Sequence, residues 1–337
     1  MSNQESLETR KKDHIELAFN SRTLEADPRF YYEPLFSGHP TQTDWPLVFL
    51  NKQLRAPLWV SSMTGGTAEA ANINKNLARA CAEFGMGMGL GSCRPLLDSS
   101  QAFEDFNLRP ILGQELPFYA NLGIAQLEEL IDRGAFATIR ELIQSLQADG
   151  LIIHVNPLQE WMQAGGDAFT RAPLETIKQV LHAADFPIIV KEVGQGIGPA
   201  GVEALLQLPL AALDFGAFGG TNFALLEYLR QQGKEKNLHE SFTKVGHSAA
   251  EMLGFAHEIC HRHKGHLACH QLIISGGISD YLSGYWLLSQ APMPAVYGMA
   301  SGFLAHARGE YDELQKFVKA QLEGLAMARA VLRPRAL

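Results

Sequence analysis

Short apolar runs alternate with longer amphipathic stretches along most of the chain, which predicts parallel strands joined by helices. The eight apolar runs lie at residues 56–66, 85–92, 117–123, 150–157, 187–194, 211–220, 271–277 and 294–300. Helical patterns separate several of them, at residues 69–84, 125–147 and 173–184, and Gly134 interrupts the second of these. Eight strand–helix repeats favour an α/β TIM (β/α)8 barrel. A doubly wound open sheet is the alternative, because periodicity alone cannot close a barrel.

Residues 1–55 precede the first barrel strand and form an N-terminal extension. Within it, the segment TDWPLVFLNKQLRAP at 43–57 predicts a short β-hairpin. No linker rich in Gly, Ser and Pro divides the rest, so residues 56–337 are interpreted as one barrel domain. A chain of 337 residues suits a barrel of roughly 250 residues with insertions.

Composition narrows the class of protein further. Hydrophobic residues make up 46% and charged residues 19%, which permits a large core. With 28 basic and 36 acidic residues the net charge is −8, which argues against nucleic acid or an anionic membrane as a partner. Four cysteines do not make a disulfide framework, the N-terminus has no signal-peptide pattern, and no apolar run spans a bilayer. We therefore expect a cytoplasmic protein.

Polar residues follow the apolar runs, where a TIM barrel builds its active site. His154, Asn156, Gln159 and Glu160 follow the fourth run, and Lys191 ends the fifth. Two late glycine turns, SGGI at 275–278 and GMAS at 298–301, are typical of phosphate binding, because backbone N–H groups there can converge on an anion. Two ordinary tight turns are the alternative.

Several motifs together resemble the type 2 isopentenyl-diphosphate isomerases, which are FMN-dependent TIM barrels. The matching stretches run in family order: RKKDHI at 10–15, SSMTGG at 61–66, GLGSCRP at 89–95, ANLG at 120–123, HVNPLQE at 154–160, VKEVGQGIG at 190–198, DFGAFGGTNF at 214–223, SGGI at 275–278 and YGMASGFL at 297–304. HxNxxQE and the N-terminal RKxxH pattern are specific, whereas the glycine turns are shared with many flavin barrels. The chain departs from the family pattern at Cys93, at Ser279 and in the segment 242–249.

The resemblance implies which residues hold the flavin. They are Met63, Thr64, Gly65, Ser92, Asn121, Lys191 and Thr221, with Gly276, Gly277, Ile278, Ala300 and Ser301 around the phosphate. Lys191 also has a physical reason to be there, because a fixed cation stabilises the negative charge of a reduced flavin.

The resemblance also implies an isoprenyl diphosphate substrate and Mg²⁺. Arg10, Lys11, His14 and Arg94 match the positions that bind the diphosphate, and Glu160 matches the Mg²⁺ ligand. The implied substrate-binding set also contains Ser92, Cys93, His154, Asn156 and Gln159. The extension would fold over the barrel mouth as a lid.

The implied reaction is a 1,3-allylic proton shift between isopentenyl and dimethylallyl diphosphate in isoprenoid biosynthesis. Protonation of an alkene develops carbocation character, which requires nearby negative charge and exclusion of water. Gln159 and His154 are the candidate catalytic residues, and the assignment of acid and base between Gln159 and the flavin stays open. Reduced FMN as the active form, NADPH as reductant and a homo-oligomer, a tetramer or octamer, complete the expectation.

Other interpretations of the same residues remain. Cys93 could be a covalent nucleophile or a small buried thiol. The barrel could be an FMN-dependent 2-hydroxy-acid oxidase, which needs a His base and an Arg pair after the late strands, or a non-catalytic flavin-binding scaffold. The segment 257–270, with five histidines and two cysteines, could hold a metal or be a polar helix end.

Overall fold

The predicted strands form one closed barrel in a computed structural model. It describes residues 11, 13, 16–18, 20, 21, 25–61, 68–230, 239–264 and 266–337. The barrel strands are β4 (Leu58–Val60), β5 (Gly87–Gly89), β6 (Phe118–Gly123), β7 (Gly150–Val155), β8 (Ile188–Glu192), β9 (Ala212–Asp214), β10 (Leu272–Ser275) and β11 (Ala295–Met299). All pair in parallel, and β11 closes onto β4 with Tyr297 opposite Leu58. The TIM barrel is confirmed and the open sheet is excluded.

Helices on the outside of the barrel follow the strands. They are α1 (Ala68–Phe84), α2 (Pro95–Asp98), α3 (Phe103–Phe106), α4 (Arg109–Leu112), α5 (Ile124–Asp132), α6 (Phe136–Ser145), α7 (Pro157–Met162), α8 (Pro173–Ala183), α9 (Pro199–Leu206), α10 (Phe223–Arg230), α11 (Ala249–His263), α12 (Tyr281–Ser289), α13 (Ser301–Ala307) and α14 (Tyr311–Val331). Short 3₁₀ turns occupy Ser100–Ala102 and Glu240–Lys244. The stretch 125–147 is divided into two helices at the interrupting Gly134, which adopts a left-handed conformation (φ +67°) and ends the first helix.

The predicted hairpin is present as β2 (Leu47–Phe49) and β3 (Lys52–Leu54). It lies at the N-terminal end of the barrel. The N–H of Leu50 donates to Gln271 Oε1 just before β10, and Lys52 Nζ bonds Asp149 Oδ1 just before β7, at 2.8 and 2.6 Å. This part of the extension therefore does not cover the C-terminal mouth. The lid stays a prediction for the segment before residue 25, most of which lies outside the described residues.

The C-terminal helix joins the extension to the barrel. In α14 the apolar face, with Leu314, Val318, Leu322 and Leu325, is buried. After it, β12 (Leu332–Pro334) pairs antiparallel with β1 (Phe30–Tyr32), a contact the sequence pattern did not predict. Within the described residues, no helix is long and apolar enough to cross a membrane.

Candidate active site

A cavity of about 160 Å³ opens at the C-terminal ends of the strands. The ends of β4 and β8 and the turns after β9, β10 and β11 line it. Seven residues of the predicted flavin set are among its lining: Lys191, Thr221, Gly276, Gly277, Ile278, Ala300 and Ser301. Folding thus brings together residues that are more than a hundred positions apart in the chain.

The floor of this cavity depends on glycine. Gly276 and Gly277 both have positive φ, at +97° and +71°. A Cβ on Gly276 would lie 2.0 Å from the carbonyl oxygen of Ala217, and one on Gly220 would lie 3.0 Å from the N of Gly277. The turns after β9 and β10 therefore pack backbone against backbone. Backbone N–H groups in such turns can form a concave anion site.

A row of charged and polar side chains crosses the barrel mouth. His154, Lys191 and Asp214 are in-register neighbours on β7, β8 and β9, so their side chains share one face of the sheet. Lys191 is 8% exposed, and its Nζ donates to the carbonyl oxygen of Glu192 at 2.6 Å. Burial raises the pKa of Asp214, and the Lys191 cation opposes that rise. The row therefore contains a buried cation with a buried acid beside it.

Asp214 is held by a neighbouring strand. Ser275 Oγ donates to its Oδ1 and itself accepts from the N–H of Gly216 at 2.9 Å. The other oxygen, Oδ2, is buried without a hydrogen-bond partner among the described residues. Asp214 and Ser275 are not among the predicted site residues, although each is a polar residue at a strand end and the first residue of a quoted motif, DFGAFGGTNF or SGGI.

His154 is fixed by Asn121 on the adjacent strand β6. Asn121 Nδ2 donates to the carbonyl oxygen of Leu90, so its Oδ1 is the acceptor that faces His154 Nδ1 at 2.8 Å. This assigns the proton to Nδ1 and leaves Nε2 with its lone pair. Burial, with a smaller effect of the Lys191 cation, lowers the pKa of His154 to about 3. The imidazole is therefore neutral at neutral pH.

The turn after β5 carries the three predicted residues Ser92, Cys93 and Arg94, whose side chains differ in exposure. Ser92 and Arg94 are exposed, whereas Cys93 is fully buried, with its N–H bonded to the carbonyl oxygen of Asn121 at 2.7 Å. Burial raises the pKa of the Cys93 thiol to about 12. The geometry supports the buried thiol rather than a nucleophile, because a thiolate is the reactive form. It also gives no surface of this side chain for a substrate to touch.

The turn from β7 into α7 brings Asn156, Gln159 and Glu160 together. Asn156 Nδ2 donates to Gln159 Oε1 at 3.1 Å and to Glu160 Oε1 at 2.9 Å. Glu160 Oε2 accepts from the N–H of Asp167 at 2.9 Å. Asn156 Oδ1 is buried with no hydrogen-bond partner in the described part of the chain. Pro157 at the first position of α7 fixes the turn that presents these side chains.

Glu160 also lines a second cavity, of about 400 Å³, beside Trp161 and Phe169. One carboxylate can serve Mg²⁺, which usually keeps several waters and binds substrate phosphates as well. Across residues 25–61, 68–230, 239–264 and 266–337, no three His, Cys, Asp or Glu side chains gather as a metal cluster. In the histidine-rich segment, His257 contacts the Gln290 carbonyl and His263 contacts Glu203, so both belong to surface packing.

Several predicted residues lie outside the described part of the chain: Arg10, His14, Met63, Thr64 and Gly65. Lys11 is helical and exposed, and no hydrogen bond or ion pair between described residues joins it to the barrel mouth. Their roles stay predictions. One further residue at the mouth, Ser61, lines the first cavity and has a buried hydroxyl without a hydrogen-bond partner among the described residues.

Comparison with known proteins gives close relatives by sequence. No protein-family model matches the chain. The isopentenyl-diphosphate delta-isomerase of Deinococcus radiodurans is 36% identical over 291 residues, 84% of this chain and 82% of that protein. Those of Stutzerimonas stutzeri and Mycolicibacterium gilvum are 32% and 33% identical, covering 96% and 93% of this chain and 92% and 90% of theirs.

Solved structures match at the level of fold. A flavocytochrome b2 with sulfite bound aligns with a TM-score of 0.61 at 14% identity, covering 89% of this chain and 71% of that chain. A mandelate oxidase variant with a monooxide FMN adduct aligns with a TM-score of 0.52 at 14% identity, covering 89% and 88%. At such low identity the likeness shows the barrel fold alone, since one barrel hosts many chemistries.

Proposed function

Because the chain belongs to the isopentenyl-diphosphate delta-isomerase family, of the type 2 pattern that its motifs indicate, we propose that it interconverts isopentenyl and dimethylallyl diphosphate with reduced FMN and Mg²⁺. The observation that carries the proposal is the cavity at the strand ends. There seven of the residues predicted to hold a flavin and its phosphate line one space. This is the end of a TIM barrel where active sites are built.

The residues present fit an FMN. Its phosphate would be held by the turns at Gly276–Gly277 and Ala300–Ser301, where side chains are absent or small and two glycines have positive φ. Lys191 and Thr221 would hold the ring system and the chain that joins it to the phosphate. When bound in its reduced form, FMN supplies an electron-rich, negatively charged ring beside the substrate.

Lys191 gives the site its fixed positive charge. Its Nζ is held by the carbonyl oxygen of Glu192, and the buried Asp214 lies opposite it on the next strand. The carboxylate of Glu192 in turn accepts three backbone N–H groups, from Gly194, Gln195 and Gly196, at 2.6, 2.6 and 3.1 Å. A cation preorganised in this way needs little rearrangement when negative charge is placed beside it.

The substrate diphosphate would bind where Arg94 and Glu160 lie, Glu160 through Mg²⁺. Arg10, Lys11 and His14 would add cations when the N-terminal segment closes. Arg suits this task because its guanidinium matches phosphate oxygens in a bidentate way. The buried Oδ1 of Asn156, which has no hydrogen-bond partner among the described residues, would orient the substrate or a metal-bound water.

Gln159 and His154 would act at the alkene end. In the isomerisation one carbon of the alkene gains a proton and an allylic carbon loses one, so no net oxidation occurs. His154 is neutral and is anchored through Nδ1, so it can present Nε2 as a fixed acceptor. Gln159 has its Oε1 bonded to Asn156, which limits the directions its amide can take. Closure of the mouth would exclude water from the developing positive charge.

The family resemblance supports three further parts of the proposal. They are NADPH as the reductant, assembly as a homo-oligomer, either a tetramer or an octamer, and a cytoplasmic location. The oxidase alternative receives no support from the site, because the described residues that line the cavity include no His and no Arg.

The decisive experiment measures turnover on the purified protein. We expect a flavin absorption spectrum and, after anaerobic reduction with Mg²⁺ present, interconversion of the two diphosphates without net redox change. Gln159→Ala should lower turnover, whereas Gln144→Ala, a change at an exposed position of α6, should not. Bound reduced FMN without any conversion would leave only a flavin-binding scaffold. Flavin reduction by a 2-hydroxy acid would support the oxidase instead.

A further inference from the structure

Asp167 is a junction between three parts of the barrel mouth. Its Oδ2 accepts from Arg94 Nη1 at 2.8 Å and from Gln126 Nε2 at 2.7 Å. Its backbone N–H donates to Glu160 Oε2 at 2.9 Å. One residue in the loop after α7 therefore contacts the turn after β5, the first turn of α5 and the first turn of α7.

The ion pair with Arg94 contributes to orientation more than to stability. The side chains of Arg94 and Asp167 are 53% and 31% exposed, and pairs at such exposure add little to the free energy of folding. The bond uses one nitrogen of the guanidinium, which has further N–H donors for an anion. Asp167 thereby limits the region that the Arg94 guanidinium can occupy. It leaves the other N–H donors of the guanidinium for an anion.

The second bond to Asp167 reaches towards His154. Gln126 bonds Asp167 through Nε2, and its Oε1 accepts from the N–H of Gly123 at 3.1 Å. A side chain at position 123 would clash with the imidazole of His154, because a Cβ there would lie 2.8 Å from His154 Nε2. Both ends of the Gln126 amide are therefore used, and the side chain of Asp167 has a rigid partner besides Arg94.

The loop that carries Asp167 is also held close to α7. A Cβ on Gly166 would lie 2.0 Å from the carbonyl oxygen of Glu160, so this glycine allows the loop to pack against the helix. The N–H of the next residue, Asp167, then points at the Glu160 carboxylate. Fixing the Asp167 side chain thus fixes the backbone donor that orients Glu160.

We infer that Asp167 is a positioning residue that sets the Arg94 guanidinium and the Glu160 carboxylate as a pair for a magnesium–diphosphate group. The inference rests on the proposed function and adds a residue to it that no motif singled out. Asp167 itself need not touch the substrate. Groups that orient ligating side chains in this way typically change metal affinity or activity by roughly 10- to 100-fold when removed.

The test uses Asp167→Asn, which keeps the size of the side chain and removes its charge. Calorimetric titration of the full-length protein with inorganic pyrophosphate and Mg²⁺ should show binding weakened by roughly 10- to 100-fold. In the isomerase assay, KM and the Mg²⁺ concentration for half-maximal rate should rise much more than kcat falls. Asp167→Glu, which keeps the charge, should recover part of the binding.

A double-mutant cycle checks that Asp167 acts through Arg94. In an Arg94→Gln background, Asp167→Asn should weaken pyrophosphate binding much less than it does alone. Asp185→Asn is the matched control, because Asp185 pairs with Arg140 at the opposite end of the barrel, just before β8. It should leave both binding and kinetics unchanged.

Three results would separate the possibilities. Wild-type binding and kinetics in Asp167→Asn, with an active wild-type enzyme, would overturn the inference alone. Equal losses in both Arg94 backgrounds would overturn the action through Arg94. A wild-type protein that binds magnesium pyrophosphate in an Asp167-dependent way but isomerises nothing would overturn the proposed function and leave the positioning role standing.

Discussion

Replacement of Gly276 by alanine tests the glycine floor of the cavity most directly. Two separate costs apply at this position. A φ of +97° lies outside the conformations that L residues prefer, which costs about 1–2 kcal/mol. The added Cβ would also lie 2.0 Å from the oxygen and 2.5 Å from the nitrogen of Ala217, so backbone must shift, at about 1–3 kcal/mol. Together we expect Gly276→Ala to lower the free energy of unfolding by about 2–5 kcal/mol.

Two other glycines separate these costs. Gly277 has a φ of +71°, but a Cβ there would meet its nearest neighbour at 3.4 Å, an ordinary contact. Gly277→Ala should therefore show only the conformational cost, about 1–2 kcal/mol. Gly254 lies within α11 with nothing within 4 Å of the added Cβ, so Gly254→Ala should stabilise by about 0.5–1 kcal/mol.

The measurement is urea-induced unfolding of the three variants and the wild type, followed by far-UV circular dichroism. The order of stability should be Gly254→Ala, wild type, Gly277→Ala and Gly276→Ala. If Gly276→Ala were as stable as Gly277→Ala, the close approach of the two turns would not hold, and the proposed floor of the phosphate site would lose its physical basis.

Three more predictions concern burial. Because burial raises its pKa to about 12, the Cys93 thiol should resist iodoacetamide in the folded protein at pH 8. The partly exposed Cys260 should be modified first, and prompt labelling of Cys93 would contradict its burial. The pKa of His154 is near 6.5 in the unfolded chain and about 3 in the folded protein, so the unfolded state binds more protons between these values and the free energy of unfolding rises with pH there. Between pH 7 and pH 5 the wild type should therefore lose about 2 kcal/mol more of this free energy than His154→Gln does, as measured by urea titration. Equal losses in the two proteins would refute this. Asp149→Ala leaves the buried Arg109 without its carboxylate partner and should cost about 3–5 kcal/mol of unfolding free energy. Asp185→Ala, which breaks an exposed ion pair with Arg140, should cost much less, and equal costs would contradict that difference in burial.

The strands and the polar character of the barrel mouth were predictable because they depend on residues close together in the chain. Runs such as GLIIHV at β7 and IIVKE at β8 are apolar up to their C-terminal ends, which is typical of strands covered on both faces. Polar residues at their C-terminal ends then had to meet at one rim if the sheet closed. The glycine pairs after β9 and β10 were visible for the same reason, as local sequence features.

Other elements were not predictable from local pattern. The hairpin was predicted correctly, but its position at the N-terminal end follows from bonds to Asp149 and Gln271, far along the chain. Gly134 interrupts the helical pattern at 125–147 in the sequence, but an isolated glycine does not by itself reveal the left-handed conformation that ends α5 there.

The sequence by itself determined the barrel class, the family motifs and the candidate residues that contact a flavin or a diphosphate. Only the tertiary structure decided what lies beside them: the row formed by His154, Lys191 and Asp214, and the bond between Arg94 and Asp167 across 73 positions. The physical reason is that periodicity is set by neighbours within a few residues, whereas barrel closure sets the register between strands. Register alone places a buried acid beside a buried cation, and no local pattern contains that information.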